Sequence, residues 1–301
     1  MHDMTNHQES LGRVNHKLPG IFIREEGAPA AAAAAITNVA YIIAPPNATD
    51  GEVKQEQQQA FKRDANHAAH CSYFRWFTAH KIPHVDSIIL THEHADAVLG
   101  LDDVRTVQPF SPTNDIEPTP IYLTEYAMES IAVKFPYLVQ KKLKPGQEIR
   151  RVAQLDWKII ENDCNKPFVV SGLRIVPLPV MHGEDYVCLG FQFGERYKVA
   201  YISDISRFLE PTENYISKDG CQQLDLLILD TLYKKGSHNT HFCFPQTLDA
   251  VKRICPKRAL LIGMTHEFDH HKDNEFLKDW SQREGIPVEL AYDGLRISVD
   301  L

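Results

Sequence analysis

The six cysteines, at 71, 164, 188, 221, 243 and 255, include no C-x-x-C pair. Their scatter excludes a C-x-x-C zinc or redox motif and fits a reducing compartment better than a disulfide framework. Isolated cysteines of this kind are expected to be buried packing residues. No apolar stretch approaches the length of a membrane span, and the alanine tract at 30–35 is too short to be one. The N-terminus lacks the charged-then-apolar pattern of a secretory leader, so the expected location is the cytoplasm. The sequon Asn47-Ala48-Thr49 then reads as chance. Basic excess is also missing: 32 Lys and Arg face 40 Asp and Glu, for a net charge of −8. The one short basic run, KKLK at 141–144, reads as a solvated helix end. A nucleic-acid-gripping chain more often carries a basic excess or cluster, so nucleic acid is a disfavoured partner. No internal repeat is visible.

What is present is the composition of an ordinary globular protein, with 43% hydrophobic and 24% charged residues. At 301 residues the chain can bury a sizeable core. Residues 1–20 are polar and read as a flexible N-terminus, and 21–301 as a single domain with a Pro- then Gln-rich loop or insertion near 45–60. GIFIRE and NVAYIIA read as strands around the alanine tract, and 60–80 as a helix with an aromatic face. From residue 85 short apolar runs alternate with helical periodicity. VDSIIL, PIYLT, DWKII, LRIVPLPVMH, LDLLILD and RALLIGMTH read as strands. VLGLDDVRTV, EYAMESIAVKF, PQTLDAVKRIC and DNEFLKDWSQREG read as helices. YVCLGFQFG and YKVAYISD predict an antiparallel hairpin, and VELAYDGLRISVD a closing strand pair. Interleaved strands and helices with hairpins imply a mixed α/β fold with helices covering sheet faces.

Several of the apolar runs end in His or Asp. IILTHEHAD carries His92, His94 and Asp96; VPLPVMHG carries His182; VAYISD carries Asp204; LIGMTHEFDHH carries His266, then Asp269, His270 and His271. Alternate residues of an extended segment point the same way, so His92 and His94 can face one ion. Strand ends are rigid, which lets ligands from distant segments converge. Imidazoles with carboxylates are the donor set expected for zinc, with manganese or iron as competitors.

THEHADAVLGLDD resembles the metal motif of the metallo-β-lactamase-fold hydrolases, and LGLDDVR their PhnP-type cyclic phosphodiesterase and tRNase Z-like branch. The resemblance spans roughly residues 85–300 and includes GSHNTHF at 236–242 and MTHEFDHH. It implies an α/β fold: a four-layer αβ/βα sandwich of two mixed sheets flanked by helices, with metal at one edge. It implies His92, His94 and His182 on a first metal, Asp96 and His266 on a second, and Asp204 bridging. Asp96 is thereby counted with the catalytic residues, and His241 is implied as a proton donor. Two cations about 3.5–4 Å apart can activate a hydroxide and clamp a phosphodiester for in-line attack.

Two departures stand out. Position 97 is Ala, where the family carries a second-metal His. His238, His270 or His271 could substitute, or one ion could suffice. Residues 1–60 also lack the family's Gly-rich strand-loop and Asp-x-Gly, so the first strands are expected to be divergent, displaced or missing. Asp102 and Asp103 read equally as ligand-orienting groups or as a helix surface pair; Asp230 leans to the former. Tyr233, Lys234 and Lys235 read as a charged loop. The function expected is a metal-dependent hydrolase, with one or two zinc ions, acting on a small cyclic or nucleotide-like phosphodiester through a metal-bound hydroxide. The alternatives are an RNA 3′-processing nuclease, an ester, lactone or thioester hydrolase, and a metal-poor scaffold. A homodimer is compatible with all of these.

Overall fold

A computed structural model describes residues 85–113, 115–139, 152–220, 223–299 and 301, and the backbone of the strands at 21–25, 33–36 and 39–43. The expectations for 1–20, for 45–60, for the helix at 60–80 and for KKLK lie outside the described residues.

The first sheet contains β1 (Ile21–Glu25), β2 (Ala33–Ile36), β3 (Val39–Ile43), β4 (Ser87–Leu90), β5 (Thr119–Leu123), β6 (Leu155–Ile159) and β15 (Leu295–Val299), in the order β15-β1-β2-β3-β4-β5-β6. The first strands are therefore present, and part of the alanine tract is itself a strand. The second sheet contains β8 (Leu173–Met181), β9 (Val187–Phe193), β10 (Val199–Ile202), β11 (Arg207–Phe208), β12 (Leu226–Asp230), β13 (Ala259–Ile262) and β14 (Val288–Leu290), ordered β11-β8-β9-β10-β12-β13-β14, with β7 (Phe168–Val170) paired to β8. The predicted hairpin forms, since β9 and β10 pair antiparallel. The predicted closing pair does not: β14 joins one sheet and β15 the other.

The apolar runs are continuous because these strands are covered on both faces. In β4, Ile88 and Leu90 enter one apolar cluster while Ile89 enters another. In β10 and β12, Val199, Tyr201, Leu226 and Ile228 join Ile89 in the cluster between the sheets. Ala200, Ile202, Leu227 and Leu229 face the opposite way, against helices Phe244–Ile254 and His270–Glu284. On the outer side of the first sheet, Ala127 and Ile131 of helix Glu125–Lys134 pack with Ile88, Ile121 and Leu155. Three apolar clusters separate four layers, the expected αβ/βα sandwich. VLGLDDVRTV is shorter-wound than expected, one helical turn at Ala95–Val98 and then a 3₁₀ segment at Leu101–Thr106. Helix Glu210–Ile216 was not anticipated. Cys164, Cys188 and Cys243 are buried free thiols, as read from their isolation.

Gly190 sets how closely β9 approaches β10. A Cβ there would lie 2.7 Å from both Ile202 Cγ1 and the Tyr201 carbonyl oxygen. Gly190→Ala is expected to destabilise the fold by about 1–3 kcal/mol, read as a lowered melting temperature.

Strand polarity now places the site. β10, β12 and β13 run parallel, and β8 is antiparallel to β9, which is antiparallel to β10. The C-terminal ends of β8, β10, β12 and β13 thus share one edge. The Leu189 N–H donates to the Thr91 carbonyl (3.0 Å), bringing the residues after β4 to the second sheet.

Candidate metal centre

His92 and His94 follow β4, His182 follows β8, Asp204 follows β10, and Asp230 ends β12. Ligand atoms of His92, His94 and His182 lie within 4.8 Å of one another, and so do those of His182, Asp204 and His241. The imidazole ring centroids of His92 and His94 are 4.6 Å apart, and those of His182 and His241 4.8 Å.

The donor chemistry fits a divalent cation. His92 is buried; its Nδ1 meets Thr91 Oγ1 at 2.9 Å, while its Nε2 is buried without a hydrogen-bond partner. A buried nitrogen left in that state is costly unless something coordinates it. His182 Nδ1 donates to the Thr240 carbonyl at 2.7 Å, which fixes the tautomer and leaves a lone pair on Nε2. That Nε2 lies 3.2 Å from His94 Nδ1. Two nitrogens on one tetrahedral zinc, at roughly 2.0–2.1 Å each, sit about 3.3 Å apart. Burial pushes His92 down to about 2, helped by the imidazoles of His94, His182 and His241. Burial likewise takes His182 down to about 4. Both rings are neutral at neutral pH, the form that binds metal.

The carboxylates shift the opposite way. Burial, then the charge of Asp230, raises Asp204 to about 7, although Ser203 Oγ donates to its Oδ2 (2.7 Å). Asp230, 1% exposed, is raised to about 6 by burial. Its Oδ2 accepts from His241 Nδ1 at 2.7 Å, and His241 Nε2 faces Asp204 Oδ1 at 3.7 Å. Burial works against a protonated His241, yet Asp230, Asp204 and Asp96 leave its pKa raised.

Other expected residues fall elsewhere. Asp96 is exposed and in neither donor group, though its charge acts on His182, Asp204 and His241. His266 is exposed and in neither group; after β13 the chain turns back, with the Thr265 N–H donating to the Leu232 carbonyl at 2.9 Å. His270 is tied to the Leu290 carbonyl (3.2 Å) and to Asn274. Asp102 accepts from Arg105 and from the Ala153 N–H (3.1 Å), which anchors the 3₁₀ segment. Asp103 lies 3.9 Å from Arg105. Lys234 is paired with Asp273 at 2.6 Å.

Sequence reasoning missed the Thr240 carbonyl and the Glu93–Tyr186 pair. The Tyr186 ring stacks on His94, with centroids 4.9 Å apart and planes 21° apart. Its hydroxyl donates to the Glu93 carboxylate, and Lys134 Nζ donates to the Glu93 carbonyl at 2.7 Å. Together they hold the His92–His94 loop. Position between two metal-type histidines was the one signal that Glu93 carried.

Asp230 itself depends on Gly263, which has φ +78° and lies where a Cβ would meet Asp230 Oδ1 at 2.6 Å. Gly263→Ala is expected to cost about 1–3 kcal/mol and to displace the Asp230 carboxylate. Imidazole ¹H–¹⁵N spectra check it, through faster exchange of the proton on His241 Nδ1.

A cluster of histidines and aspartates able to hold a divalent cation, at one edge of a two-sheet αβ/βα sandwich, defines a metallo-β-lactamase-type protein. A model of the beta-lactamase superfamily domain matches residues 67–264, more than half of the sequence, and the chain belongs to that family. Among solved structures it is similar to a diphosphatase from the PhnP family, at 25% identity over 74% of this chain and 75% of that one, with a TM-score of 0.58. It also shares the fold of the metallo-beta-lactamase fold protein YhfI from Bacillus subtilis, at 18% identity over 69% of this chain and 75% of that one, with a TM-score of 0.52. A curated relative, an octanoyltransferase from Porphyromonas gingivalis, is 27% identical over 221 residues, 73% of this chain. The match covers 39% of that protein's length. No helix among the described residues is long and apolar enough to cross a membrane.

Proposed function

We propose that this chain is a metal-dependent hydrolase of small phosphodiesters. The observation that carries the reading is the His92, His94 and His182 cluster, with its buried, unpartnered His92 Nε2, beside the acidic pair Asp204 and Asp230. His92, His94 and His182 would hold the cation, and Asp204 lies next to them to share it. Zinc suits a three-imidazole set best, with manganese or iron as competitors. When bound, a divalent ion supplies a Lewis acid and lowers the pKa of its water toward neutrality.

The chain's own residues do the positioning. The Thr240 carbonyl fixes the His182 tautomer, Thr91 Oγ1 orients the His92 ring, and Tyr186 keeps His94 in place by stacking. Preference for a phosphorus centre is supported by the likeness to the PhnP-family diphosphatase. A small substrate, rather than RNA, is supported by the net charge of −8, which disfavours a long polyanion. A second reading, hydrolysis of an acyl ester or thioester, is favoured by the similarity to the octanoyltransferase.

The test is one panel under zinc- and manganese-loaded conditions: bis-p-nitrophenyl phosphate, a cyclic nucleotide, a dinucleoside diphosphate, a lactone and an octanoyl thioester. The phosphodiesters are expected to exceed the carbon esters in kcat/KM by about a hundredfold or more, a barrier difference of ~3 kcal/mol. Faster turnover of the octanoyl thioester would replace the phosphodiester reading with the acyl one.

A further inference from the structure

We infer that His241 is a metal ligand, acting with Asp204 in the place of the imidazole that position 97 does not supply. The inference rests on the metal-hydrolase reading above and deepens it.

Nothing at position 97 reaches the site. The Ala97 methyl is 5% exposed and packs in the apolar cluster with Val98 and Leu101. Asp96 and His266, the other residues expected on a second ion, are exposed and outside both donor groups. The donor set that forms beside the three-histidine cluster is instead Asp204 with His241, within reach of His182. His182 has one nitrogen committed to the Thr240 carbonyl, so its Nε2 serves a single ion and leaves Asp204 and His241 as the two protein donors of the neighbouring position.

His241 is prepared for coordination. Its Nδ1 is held at 2.7 Å by a carboxylate that is 1% exposed. A carboxylate on one ring nitrogen fixes the proton there, raises the basicity of the other nitrogen, and orients it toward an ion. Nε2 is the nitrogen left over, and it is the one that faces Asp204 Oδ1, at 3.7 Å. Gly263 leaves the space in which that carboxylate sits. His241 stands just before the buried start of helix Phe244–Ile254, so its main chain is anchored: the Phe244 N–H donates to the Tyr233 carbonyl (2.9 Å), and the Leu232 N–H donates to the Phe242 carbonyl (2.8 Å).

The experiment counts zinc per chain by elemental mass spectrometry and measures affinity by chelator competition, on wild type, His241→Ala and His241→Cys. Wild type is expected to hold two ions. His241→Ala is expected to keep the first and to bind the second at least tenfold more weakly, the size of effect seen when a ligand's support is removed. His241→Cys, which exchanges one zinc ligand type for another, is expected to recover most of that loss. Far-ultraviolet circular dichroism confirms that each variant is folded.

A kinetic readout runs beside the count. Loss of a ligand slows p-nitrophenyl and alkyl phosphodiesters alike. Loss of a proton donor spares the nitrophenyl ester, whose leaving group needs no proton. Unchanged zinc content and affinity in His241→Ala, with rate lost only on the alkyl ester, would overturn the inference and make His241 the proton donor. A single ion in wild type would overturn it too, while leaving the metal-hydrolase reading in place. No zinc in wild type would instead remove that reading itself.

Discussion

His92→Ala should leave the purified protein without the divalent ion of the three-histidine cluster and slow hydrolysis by about a thousandfold or more, ~4 kcal/mol of barrier. The expectation follows from the ring's surroundings. His92 is 3% exposed, yet its Nε2 makes no hydrogen bond. A polar atom in that position destabilises the metal-free fold by roughly 1–3 kcal/mol. Its removal should therefore cost the metal-free protein little beyond the small cavity left behind. The functional and structural consequences then separate cleanly. Thermal melting with and without chelator shows it. Wild type is expected to lose several degrees when stripped, because a ligand bound only by the native state stabilises by mass action. His92→Ala is expected to lose less than wild type on stripping, since only an ion on Asp204 and His241 remains to be removed, and to melt close to stripped wild type under chelator. Retention of the full wild-type zinc content by His92→Ala would show that the three-histidine cluster is not a binding site.

How far the sequence announced this arrangement differs from residue to residue. SIIL, VAYI, LLILD and ALLI were readable as strands because each is a short apolar run bounded by polar or turn residues, and each is buried throughout. Their pattern does not say which neighbour they pair with. VELAYDGLRISVD read as a closing strand pair on a purely local signal, two apolar runs around Asp293-Gly294. The chain after Gly294 crosses to the other sheet, a choice set by packing of β15 against β1. The seven residues of helix Glu210–Ile216 carry Pro and Thr, and too few positions for a helical period to register.

The site divides in the same way. His92, His94, His182 and Asp204 were readable as candidates because each lies shortly after an apolar strand; strand polarity brings His182 and Asp204 to one edge, and the Leu189–Thr91 contact brings the residues after β4 to it. The closeness of His241 to Asp204 was implied by the family resemblance and by no local pattern, because it depends on Asp230, Gly263 and the loop after β12 together. His266 carried an equally good local signal, Met-Thr-His after a strand, but the turn that follows Gly263 sets it in solvent. Local spacing identifies residues that can bind metal; the tertiary path of each loop decides which of them meet.

Asp204→Asn supplies the second large effect, and its sign depends on metal and on pH. The Asp204 carboxyl is raised from its ordinary 3.8 to about 7, by burial and then by Asp230. A group raised on folding favours the native state when protonated. That contribution is full below about pH 4 and is lost as pH rises through about 7. Above pH 7 the metal-free protein must hold a buried negative charge beside a second carboxylate. Asparagine has the same shape and no charge. Metal-free Asp204→Asn is therefore expected to be more stable than metal-free wild type at pH 8, by on the order of 2–4 kcal/mol, and the difference should vanish near pH 4. His92 and His182 act with the opposite sign, being lowered from 6.5 to about 2 and about 4. Their contribution is full above about pH 6.5 and is lost as pH falls toward 4, because the unfolded chain takes up the protons first. In wild type the slopes of the two histidines are opposed between about pH 4 and 6 by those of Asp204 and of Asp230, itself raised from 3.8 to about 6, so the metal-free melting temperature should change little there. In Asp204→Asn the histidine slope is less opposed, and the melting temperature should fall as the medium is acidified. With zinc in excess at pH 8 the ranking should invert, since wild type gains the binding energy and the variant, lacking an anionic ligand, gains less. Melting curves at pH 4, 6 and 8, with chelator and with zinc, test all of this at once. A variant less stable than chelated wild type at pH 8 would mean that Asp204 is held by its hydrogen bonds more strongly than burial and Asp230 oppose it.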